Sequence, residues 1–489
     1  MDNAIKIGWS RTDITPGGPC MVAGQLRNRL ATQIIDRLFA SVLALECGGK
    51  KAVMISIDTA SVRMQLLDEI RKRITDATGV PGDAVMASAT HTHTAPQYGP
   101  VAPESEWNNL SGFRGNCGII VEDIRKEHPD FVDSEQYFDL LVEKISSAAI
   151  EAWNSRKYGK IAYGCGTAVV GENRRLTMRD RGGVMYALED DPALLNAEGH
   201  VDHTVNVMTT YTGDGKLTGM VINVACPSQV SEALSIVSSD YWNEVRAEVA
   251  SRLGDDIFVL PQCSAAGDIS PHKLLGRRAD ERMMLLRGQQ KKALTDWSWA
   301  GRVYDLEYGI ARRREIARRI AVALEDVLPV IADTASGEVI MEKEFRMLSL
   351  APRLITEEEY RTAQADVENL QQKIGNEYSP TVLWHKRVIE RYKNPPSSVD
   401  VELHTLRLGD IVFATNPFEL YLDYGDRIKG GSKAIQTFLI QLSAGAGTYL
   451  PSARSGNKGY GSVPASSIVT SDGGDTLVLE TVKSINQLF

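Results

Sequence analysis

Two histidines separated by one residue, His91 and His93, follow the apolar run Val85–Ala89 almost directly. In an extended chain alternate side chains point to one face, so both imidazoles are expected on the same side of a strand end. Imidazole binds divalent metals and also transfers protons near neutral pH. The pair therefore predicts a metal ligand beside a proton-transfer group, or else two loop histidines whose ring nitrogens are satisfied by backbone atoms.

Other apolar runs along the chain also end in chemically capable side chains. These are Asp58, Cys226, Cys263, Asp268, Glu419 and Tyr449. In open α/β sheets, ligands bind in the crevice outside the carboxyl ends of the strands. We therefore expect several of these strand ends to pool their side chains into one metal or acid/base site.

Strand and helix patterns alternate along the chain and must position these residues. The β-rich runs on either side of Gly48 and Gly49 predict a hairpin, and Gln65–Thr78 predicts a helix that stops at Gly79. Thr356 followed by Glu359 is a capping box that opens a long helix. The sequence predicts an α/β fold in one domain, residues 1–489, in which helices flank mixed β-sheets, with a helical insertion near 275–395. The polar stretch Gln97–Asp130 is expected to be a lid or a binding loop.

Composition excludes several classes of function. The 489 residues carry a net charge of −9, from 54 basic and 63 acidic side chains, which argues against binding to nucleic acid or to an anionic membrane. No stretch approaches 18 uninterrupted apolar residues, and the start of the chain lacks the apolar core of a signal peptide. The six scattered cysteines fit a reducing cytoplasm. We expect a cytoplasmic protein with a small-molecule partner and no integral membrane segment. The sequence leaves a homo-oligomer open.

Several segments together resemble the neutral (non-lysosomal) ceramidase family. They are WSRTDITP at 9–16, residues 34–58, ATHTHTAP at 89–96, GENRR at 171–175, AAGDISP at 265–271, NPFE at 416–419, and TYLPS with GYG in 448–461. The ATHTHTAP and GDISP segments are the specific ones. The resemblance covers essentially the whole chain as that family's catalytic domain, and we expect no counterpart of the family's C-terminal immunoglobulin-like domain in these residues.

The resemblance implies a zinc-dependent amidase whose metal has two histidine ligands, a glutamate and a tyrosine. By motif, His91 corresponds to the first histidine, Glu419 to the carboxylate and Tyr449 to the phenol. The second histidine is replaced, since the chain has Cys226 before Pro227 at that place. A thiolate is also a zinc ligand, so Zn²⁺ or another divalent metal stays the expected cofactor.

The resemblance also implies roles for side chains that contact the substrate. His93 resembles the histidine that assists at the scissile carbonyl without binding the metal. Arg174 and Tyr460 resemble positions that contact the substrate or stabilise the oxyanion. Asp268 is interpreted as a residue that structures its loop through backbone amides.

Cys226 allows three interpretations, and the function depends on them. It is a metal ligand, a small buried residue that fills the core, or a nucleophile with His91 or His93 as base. The main hypothesis is a metal-dependent hydrolase that cleaves an amide, or else an ester, of a small soluble substrate. The alternatives are a Cys226-dependent hydrolase and a non-catalytic ligand-binding homologue that has lost the metal.

Overall fold

Long strands and amphipathic helices alternate from the first residues of the computed structural model. It describes residues 3–99, 120–187, 190–294, 305–375, 379–445 and 447–489. Most of the segment Gln97–Asp130, predicted as a lid or binding loop, falls at 100–119 and so lies outside the described residues.

The strands of the described ranges are β1 (Lys6–Asp13), β2 (Cys20–Met21), β3 (Leu30–Ala31), β4 (Phe39–Cys47), β5 (Lys50–Ile57), β6 (Val85–Ala89), β7 (Lys157–Thr167), β8 (Glu172–Asn173), β9 (Arg175–Met178), β10 (Gly182–Met185), β11 (Leu194–Ala197), β12 (Thr204–Thr212), β13 (Leu217–Val224), β14 (Phe258–Cys263), β15 (Ile269–Ser270), β16 (Met341–Leu350), β17 (Val399–Leu408), β18 (Ile411–Thr415), β19 (Glu419–Leu420), β20 (Gln436–Ile440) and β21 (Tyr449–Leu450).

The helices of the same ranges are α1 (Met64–Thr78), α2 (Val121–Glu127), α3 (Ser134–Asn154), α4 (Tyr241–Leu253), α5 (Arg277–Leu286), α6 (Leu306–Ala332), α7 (Glu357–Ile374), α8 (Pro380–Lys393), α9 (Leu422–Gly431) and α10 (Ser471–Gln487). None of the described helices combines the length and the apolar character needed to cross a membrane.

Two large sheets pack face to face between two layers of helices. The first has eight strands in the order β14-β13-β12-β7-β1-β4-β5-β6, and the second has four in the order β16-β17-β18-β20. Along β4, Leu43 and Leu45 point into the core between the sheets, whereas Val42 points to the core beneath α1 and α3. This alternation follows from the two-residue period of a strand. Further along the first sheet α4 and α6 cover the same face, and α9 and α10 cover the outer face of the second sheet.

The local predictions of secondary structure agree well with this architecture. The hairpin of β4 and β5 pairs antiparallel from Ala40 opposite Ile57 to Cys47 opposite Lys50. Helix α1 ends at Gly79, whose φ of 66° is left-handed, as a helix C-cap requires. The capping box at Thr356 and Glu359 is present at the start of α7. The predicted α/β fold with mixed sheets flanked by helices is confirmed.

The predicted helical region near 275–395 holds α5 to α8 but also a strand that sequence reasoning missed. Strand β16 pairs along its whole length with β17 and forms one edge of the second sheet. Its burial pattern lacks a clean alternation, with exposed or half-buried residues from Glu342 to Met347, and this hides the period of two. The helices of this region therefore flank a strand of the main framework.

Three pairs of parallel strands bring the functional segments together. The pairs are β5 with β6, β13 with β14, and β18 with β20. Backbone hydrogen bonds join their carboxyl ends, for example from Ala89 to Leu442 and from Gln441 to Cys263. The strand ends predicted to share one site thus meet at one edge of the sandwich.

Candidate active site

A cavity of about 640 Å³ opens at these strand ends. Its lining includes six of the seven side chains predicted for the site: His91, His93, Arg174, Glu419, Tyr449 and Tyr460. The seventh, Cys226, is not among the lining residues. The cavity falls in the size range of small-molecule sites in proteins.

His91 has an unusual backbone conformation that aims its ring. Its φ is 65°, in the left-handed region that a non-glycine residue rarely adopts. The prediction that His91 and His93 share one face assumed an extended backbone through both residues. That assumption is wrong, because β6 ends at Ala89 and the backbone turns at His91. Both side chains still reach the cavity, with ring centroids 4.9 Å apart and planes at 85°.

The two ring nitrogens of His91 have different surroundings. Nδ1 lies 2.5 Å from the carbonyl oxygen of Ala60, to which it donates a hydrogen bond. Nε2 lies 3.1 Å from Oε2 of Glu419 but makes no aligned hydrogen bond although it is buried. Backbone contact at Nδ1 is the usual way in which a protein fixes the tautomer of a metal-binding histidine.

Arg174 and Tyr449 complete the surroundings of Glu419. Arg174 donates to the Tyr449 hydroxyl at 3.0 Å and to the Gly267 carbonyl at 2.8 Å, and its Nη2 lies 3.7 Å from Glu419 Oε2. Tyr449 lies directly opposite Glu419 in the parallel pairing of β19 with β21. We call His91, Arg174, Glu419 and Tyr449 the His91 cluster.

Electrostatics within the His91 cluster favours an ionised glutamate. Burial opposes ionisation of Glu419, but His91 and Arg174 outweigh it and lower the pKa of this carboxyl. Burial raises the pKa of Tyr449 well above its ordinary value, with Glu419 adding to the rise and Arg174 acting against it. Burial works against the charge of Arg174, yet Tyr449, Tyr186 and Glu419 hold its pKa well above the usual range.

The donor set of the His91 cluster fits a divalent cation. In the described ranges, no group of three or more His, Cys, Asp or Glu side chains is arranged to hold a metal ion. This cluster contains two such side chains, His91 and Glu419, and its third donor group is the phenol of Tyr449. Because Nδ1 of His91 donates to the Ala60 carbonyl, Nε2 is the ring nitrogen that faces Oε2 of Glu419, at 3.1 Å. Such a contact requires a proton or a cation between the two atoms.

His93 belongs to a second group of polar side chains. Its Nε2 lies 2.8 Å from Nε2 of Gln229, and its Nδ1 lies 3.3 Å from Oε2 of Glu232 and 3.4 Å from Nε2 of Gln25. On the other side of Glu232, Oε1 lies 3.3 Å from Nε2 of His272. We call Gln25, His93, Gln229, Glu232 and His272 the His93 cluster.

The backbone packs closely around the His93 cluster. Gly24 has a φ of 93°, and a Cβ there would lie 2.2 Å from Cγ of His93, so only glycine fits against this ring. Burial lowers the pKa of His93 to about 4, although Glu232 acts against the shift. Burial opposes the charge of Glu232, but hydrogen bonds from His272 and His93 hold its pKa well below the ordinary value. The carboxylate of Glu232 thus lies between the rings of His93 and His272.

Cys226 has the surroundings of a core residue. Its side chain is fully buried in the hydrophobic cluster that includes Val224, Tyr241 and Trp242. Its thiol lies 3.6 Å from the carbonyl oxygen of Pro227, and burial raises its pKa well above the usual value. The contacts of its thiol therefore do not bring it into the His91 cluster, with which it was predicted to share a metal.

Tyr460 lies at the rim of the cavity, with 40% of its surface exposed. Its ring stacks on Trp384 of α8 with centroids 5.6 Å apart and meets the Tyr449 ring edge-on at the same distance. Pro380 and Thr381 of α8 also line the cavity, so its wall comes from the helical region as well as from strand ends. This position suits contact with a bound molecule.

Two acidic residues of the strand ends have structural roles. Asp268 accepts hydrogen bonds from the Leu422 amide at 2.9 Å and from Asn173 at 2.8 Å, in agreement with its interpretation as a loop-structuring residue. Asp58 forms a two-pronged ion pair with Arg246. Neither carboxylate lines the cavity, so the acidic chemistry of the site rests on Glu419 and Glu232.

Sequence reasoning missed Gln25, Gln229, Glu232 and His272. Weak signals were present, because Gln229 and Glu232 follow the Cys226-Pro227 pair closely and His272 directly follows the GDISP segment. No spacing rule indicates that these loops fold back toward His93. A further missed residue is Tyr186, which lines the cavity with a φ of 62° and hydrogen-bonds Ser270 through its hydroxyl.

The fold is that of neutral ceramidase. The chain matches the crystal structure of neutral ceramidase from Pseudomonas aeruginosa with a TM-score of 0.67 and 16% identity, over 100% of this chain and 75% of that chain. A ceramidase complexed with C2 matches with a TM-score of 0.66 and 16% identity, over 99% of this chain and 75% of that one. No family model matches the sequence, and the comparison with curated proteins gave no significant match. The likeness confirms the ceramidase-like fold expected from the motifs.

Proposed function

We propose that the protein is a metal-dependent hydrolase that cleaves an amide bond, or else an ester bond, of a small substrate. Three observations support the proposal: the fold, the size of the cavity, and the His91 cluster at its wall. The observation that carries it is the contact of 3.1 Å between His91 Nε2 and Glu419 Oε2, with Nδ1 of the same ring held by a backbone carbonyl.

His91, Glu419 and Tyr449 would hold the metal, which we propose to be Zn²⁺. Catalytic zinc commonly has three protein ligands and keeps a position open for water or substrate. When bound, the metal polarises the substrate carbonyl and lowers the pKa of a bound water. The sequence-based prediction of Cys226 as a further ligand stays open to measurement, but three protein ligands suffice for this proposal.

Arg174 is placed to stabilise negative charge beside the metal ligands. Its Nη2 donates to Tyr449 and lies near Glu419, and the guanidinium is almost completely buried. A fixed buried cation stabilises an oxyanion far better than a solvated one. We propose that Arg174 lowers the barrier for attack on the carbonyl and that Tyr460 contacts the part of the substrate nearest the cavity rim.

His93 is proposed to assist at the scissile group through its ring beside His91. In the structure both of its nitrogens contact protein groups, Gln229 at Nε2 and Glu232 with Gln25 at Nδ1. A proton transfer at Nε2 therefore requires Gln229 to move away from the ring. The carboxylate of Glu232 meanwhile keeps the proton of neutral His93 on Nδ1.

The cysteine-dependent alternative has less support than the metal-dependent one. A reactive thiol needs a lowered pKa and access to substrate. Burial instead raises the pKa of Cys226, and the thiol is enclosed by apolar neighbours. These contacts favour the interpretation of Cys226 as a core residue.

The test measures metal content and hydrolysis on the same preparations. Elemental mass spectrometry on the wild type, His91→Ala and Cys226→Ala is combined with assays on short-chain acyl p-nitroanilides and p-nitrophenyl esters. His385→Ala, in a helix outside the cavity, is the matched control. We expect near-stoichiometric zinc and hydrolysis in the wild type and the control, and neither in His91→Ala.

Two results would overturn the proposal in different ways. A wild type that holds no metal after zinc is added back would remove the metal-dependent mechanism. A wild type that holds zinc but hydrolyses neither amides nor esters would favour the ligand-binding alternative. If thiol alkylation abolishes hydrolysis in a zinc-free protein, the result would support the alternative in which Cys226 is the nucleophile.

A further inference from the structure

Non-glycine residues with a left-handed backbone gather at the wall of the cavity. The described ranges contain seven such residues, and four of them line the cavity: His91, Tyr186, Leu442 and Thr448. This conformation is costly for a residue with a Cβ, and most of all for a bulky one. It persists where the surrounding structure holds a side chain for a function. Tyr186 is the bulkiest of the four, and no step of the proposed hydrolysis uses it.

The turn at Tyr186 brings its ring into the cavity. Strand β10 ends at Met185, whose side chain lines the cavity, whereas Val184 packs against the apolar cluster that includes Leu176. If the strand continued, Tyr186 would share a face with Val184, because side chains alternate along an extended chain. The φ of 62° at Tyr186 breaks this alternation, so Met185 and Tyr186 both reach the cavity.

The same turn joins Tyr186 to Arg174. The backbone N–H of Tyr186 donates to the carbonyl oxygen of Arg174 at 3.0 Å. Burial works against the charge of the Arg174 guanidinium, and Tyr186 is one of the groups that nevertheless hold its pKa well above the usual range. Both side chains line the cavity. The phenol therefore lies on the side of the cavity that carries the cation proposed to stabilise the oxyanion.

The hydroxyl of Tyr186 makes a long hydrogen bond inside the protein. It donates to Oγ of Ser270 at 3.2 Å, beyond the usual O–H···O range of about 2.5–3.0 Å. The same Oγ also accepts from the backbone N–H of His272. Hydrogen bonds of catalytic groups are often long until a substrate is bound. Tyr186 can therefore donate to a substrate oxygen at small cost, while Ser270 keeps the N–H of His272 as a donor.

We propose that Tyr186 is a catalytic residue whose phenol donates a hydrogen bond to the oxyanion that forms on the substrate beside Arg174. As the oxygen of the attacking water bonds to the carbonyl carbon, the electron pair of the C=O π bond moves onto the carbonyl oxygen. No bond to Tyr186 forms or breaks, and the phenol keeps its hydrogen. Arg174 supplies a charged donor and Tyr186 a neutral one. The inference rests on the proposed function and adds a second donor to it.

The experiment compares Tyr186→Phe, which removes only the hydroxyl, with two control variants. Hydrolysis of a short-chain acyl p-nitroanilide and zinc content are measured on each preparation. We expect Tyr186→Phe to retain zinc and to lower kcat about 10²-fold, the cost of losing one oxyanion donor, with KM changed by less than about twofold. Tyr158→Phe, on an exposed tyrosine outside the cavity, should keep the wild-type rate. Ser270→Ala should keep it too, because the partner of the long hydrogen bond is not needed at the oxyanion.

Three results would overturn the inference and leave the hydrolase intact. They are a kcat of Tyr186→Phe within about threefold of the wild type, a rise in KM alone, and a loss of kcat that Ser270→Ala reproduces. If the wild type cleaves neither amides nor esters, the proposed function fails, and calorimetric titration with methylphosphonate, a tetrahedral anion, tests Tyr186 separately. Binding that Tyr186→Phe weakens about tenfold or more supports its role toward an anion. Equal binding in both proteins, or none in the wild type, overturns both proposals.

Discussion

The His91 and His93 clusters adjoin each other and begin with the same pair of groups, a histidine beside a glutamate. His91 lies 3.1 Å from Glu419, and His93 lies 3.3 Å from Glu232. The difference is in the second contact of each ring. Nδ1 of His91 is held by a backbone carbonyl and its Nε2 makes no hydrogen bond, whereas both nitrogens of His93 face side-chain amides or a carboxylate.

The charges that accompany the two carboxylates differ as well. Glu419 has the Arg174 guanidinium and the Tyr449 hydroxyl beside it, whereas the side chains of the described ranges that contact the Glu232 carboxylate are His93, His272 and Gln25. The histidine, carboxylate and phenol of the His91 cluster are donor types that the proposed metal would need, whereas the carboxylate of Glu232 lies between the rings of His93 and His272. The neighbours of a His–Glu pair, more than the pair itself, thus determine its chemistry.

Among the changes that test the difference between the two clusters, removal of the His91 side chain should have the largest effect on zinc content and hydrolysis. We expect His91→Ala to abolish both zinc binding and hydrolysis, because the remaining donors Glu419 and Tyr449 are too few to hold the metal. His93→Ala should retain zinc at the level of the wild type. Elemental mass spectrometry of the two variants checks the prediction, and equal zinc loss in both would show that the clusters do not have separate roles.

Replacement of Arg174 should reduce turnover without removing the metal. We expect Arg174→Met to lower kcat by about 10²–10³-fold, the usual cost of losing one buried group that stabilises an oxyanion. Arg174→Lys is the matched variant and should recover part of the rate. Zinc content and kcat are measured on both, and a rise in KM at constant kcat would assign Arg174 to substrate binding instead.

The pH dependence of stability should reveal the neutral character of His93. The unfolded chain protonates this histidine near its ordinary pKa of about 6.5, whereas the folded protein does so only at about 4. The unfolded state therefore binds more protons in this window, so the free energy of unfolding falls as the pH drops from about 6.5 to about 4, by about 3 kcal/mol if the whole shift is expressed. Denaturant titrations across this range measure the slope.

The variant His93→Gln should flatten that slope, since it removes the titrating ring. Gln372→Ala is the control, because Gln372 is exposed and its replacement removes no titrating group. A slope that is identical in the wild type and in His93→Gln would mean that the folded protein accepts a proton on His93 as readily as the unfolded chain does.

Replacement of Cys226 should have the smallest effect. If its thiol only fills the core, Cys226→Ala should lower the free energy of unfolding by about 1 kcal/mol and leave the zinc content unchanged. Chemical denaturation and elemental analysis give the two quantities. Loss of zinc in this variant would instead restore the sequence-based set of ligands, with Cys226 as the fourth.

Much of the framework could be predicted because it depends on local chemistry. The turn at Gly48 and Gly49, the helix stop at Gly79 and the capping box at Thr356 each act within a few residues. Strand β16 was missed because its burial pattern does not alternate cleanly. Ligands bind at the carboxyl ends of strands in open α/β sheets, and from this rule the sequence predicted that His91, Glu419 and Tyr449 lie close together.

By itself, the sequence determined the α/β class and many of the strands and helices, although not β16, and it named six side chains that line the cavity. The tertiary structure alone decided how those side chains are used. It put the thiol of Cys226 into the apolar core, turned the backbone at His91, and brought Glu232 and His272 up to His93 from distant parts of the chain. The physical reason is that burial, ion pairing and hydrogen-bond partners depend on contacts between segments far apart in sequence, which no local pattern encodes.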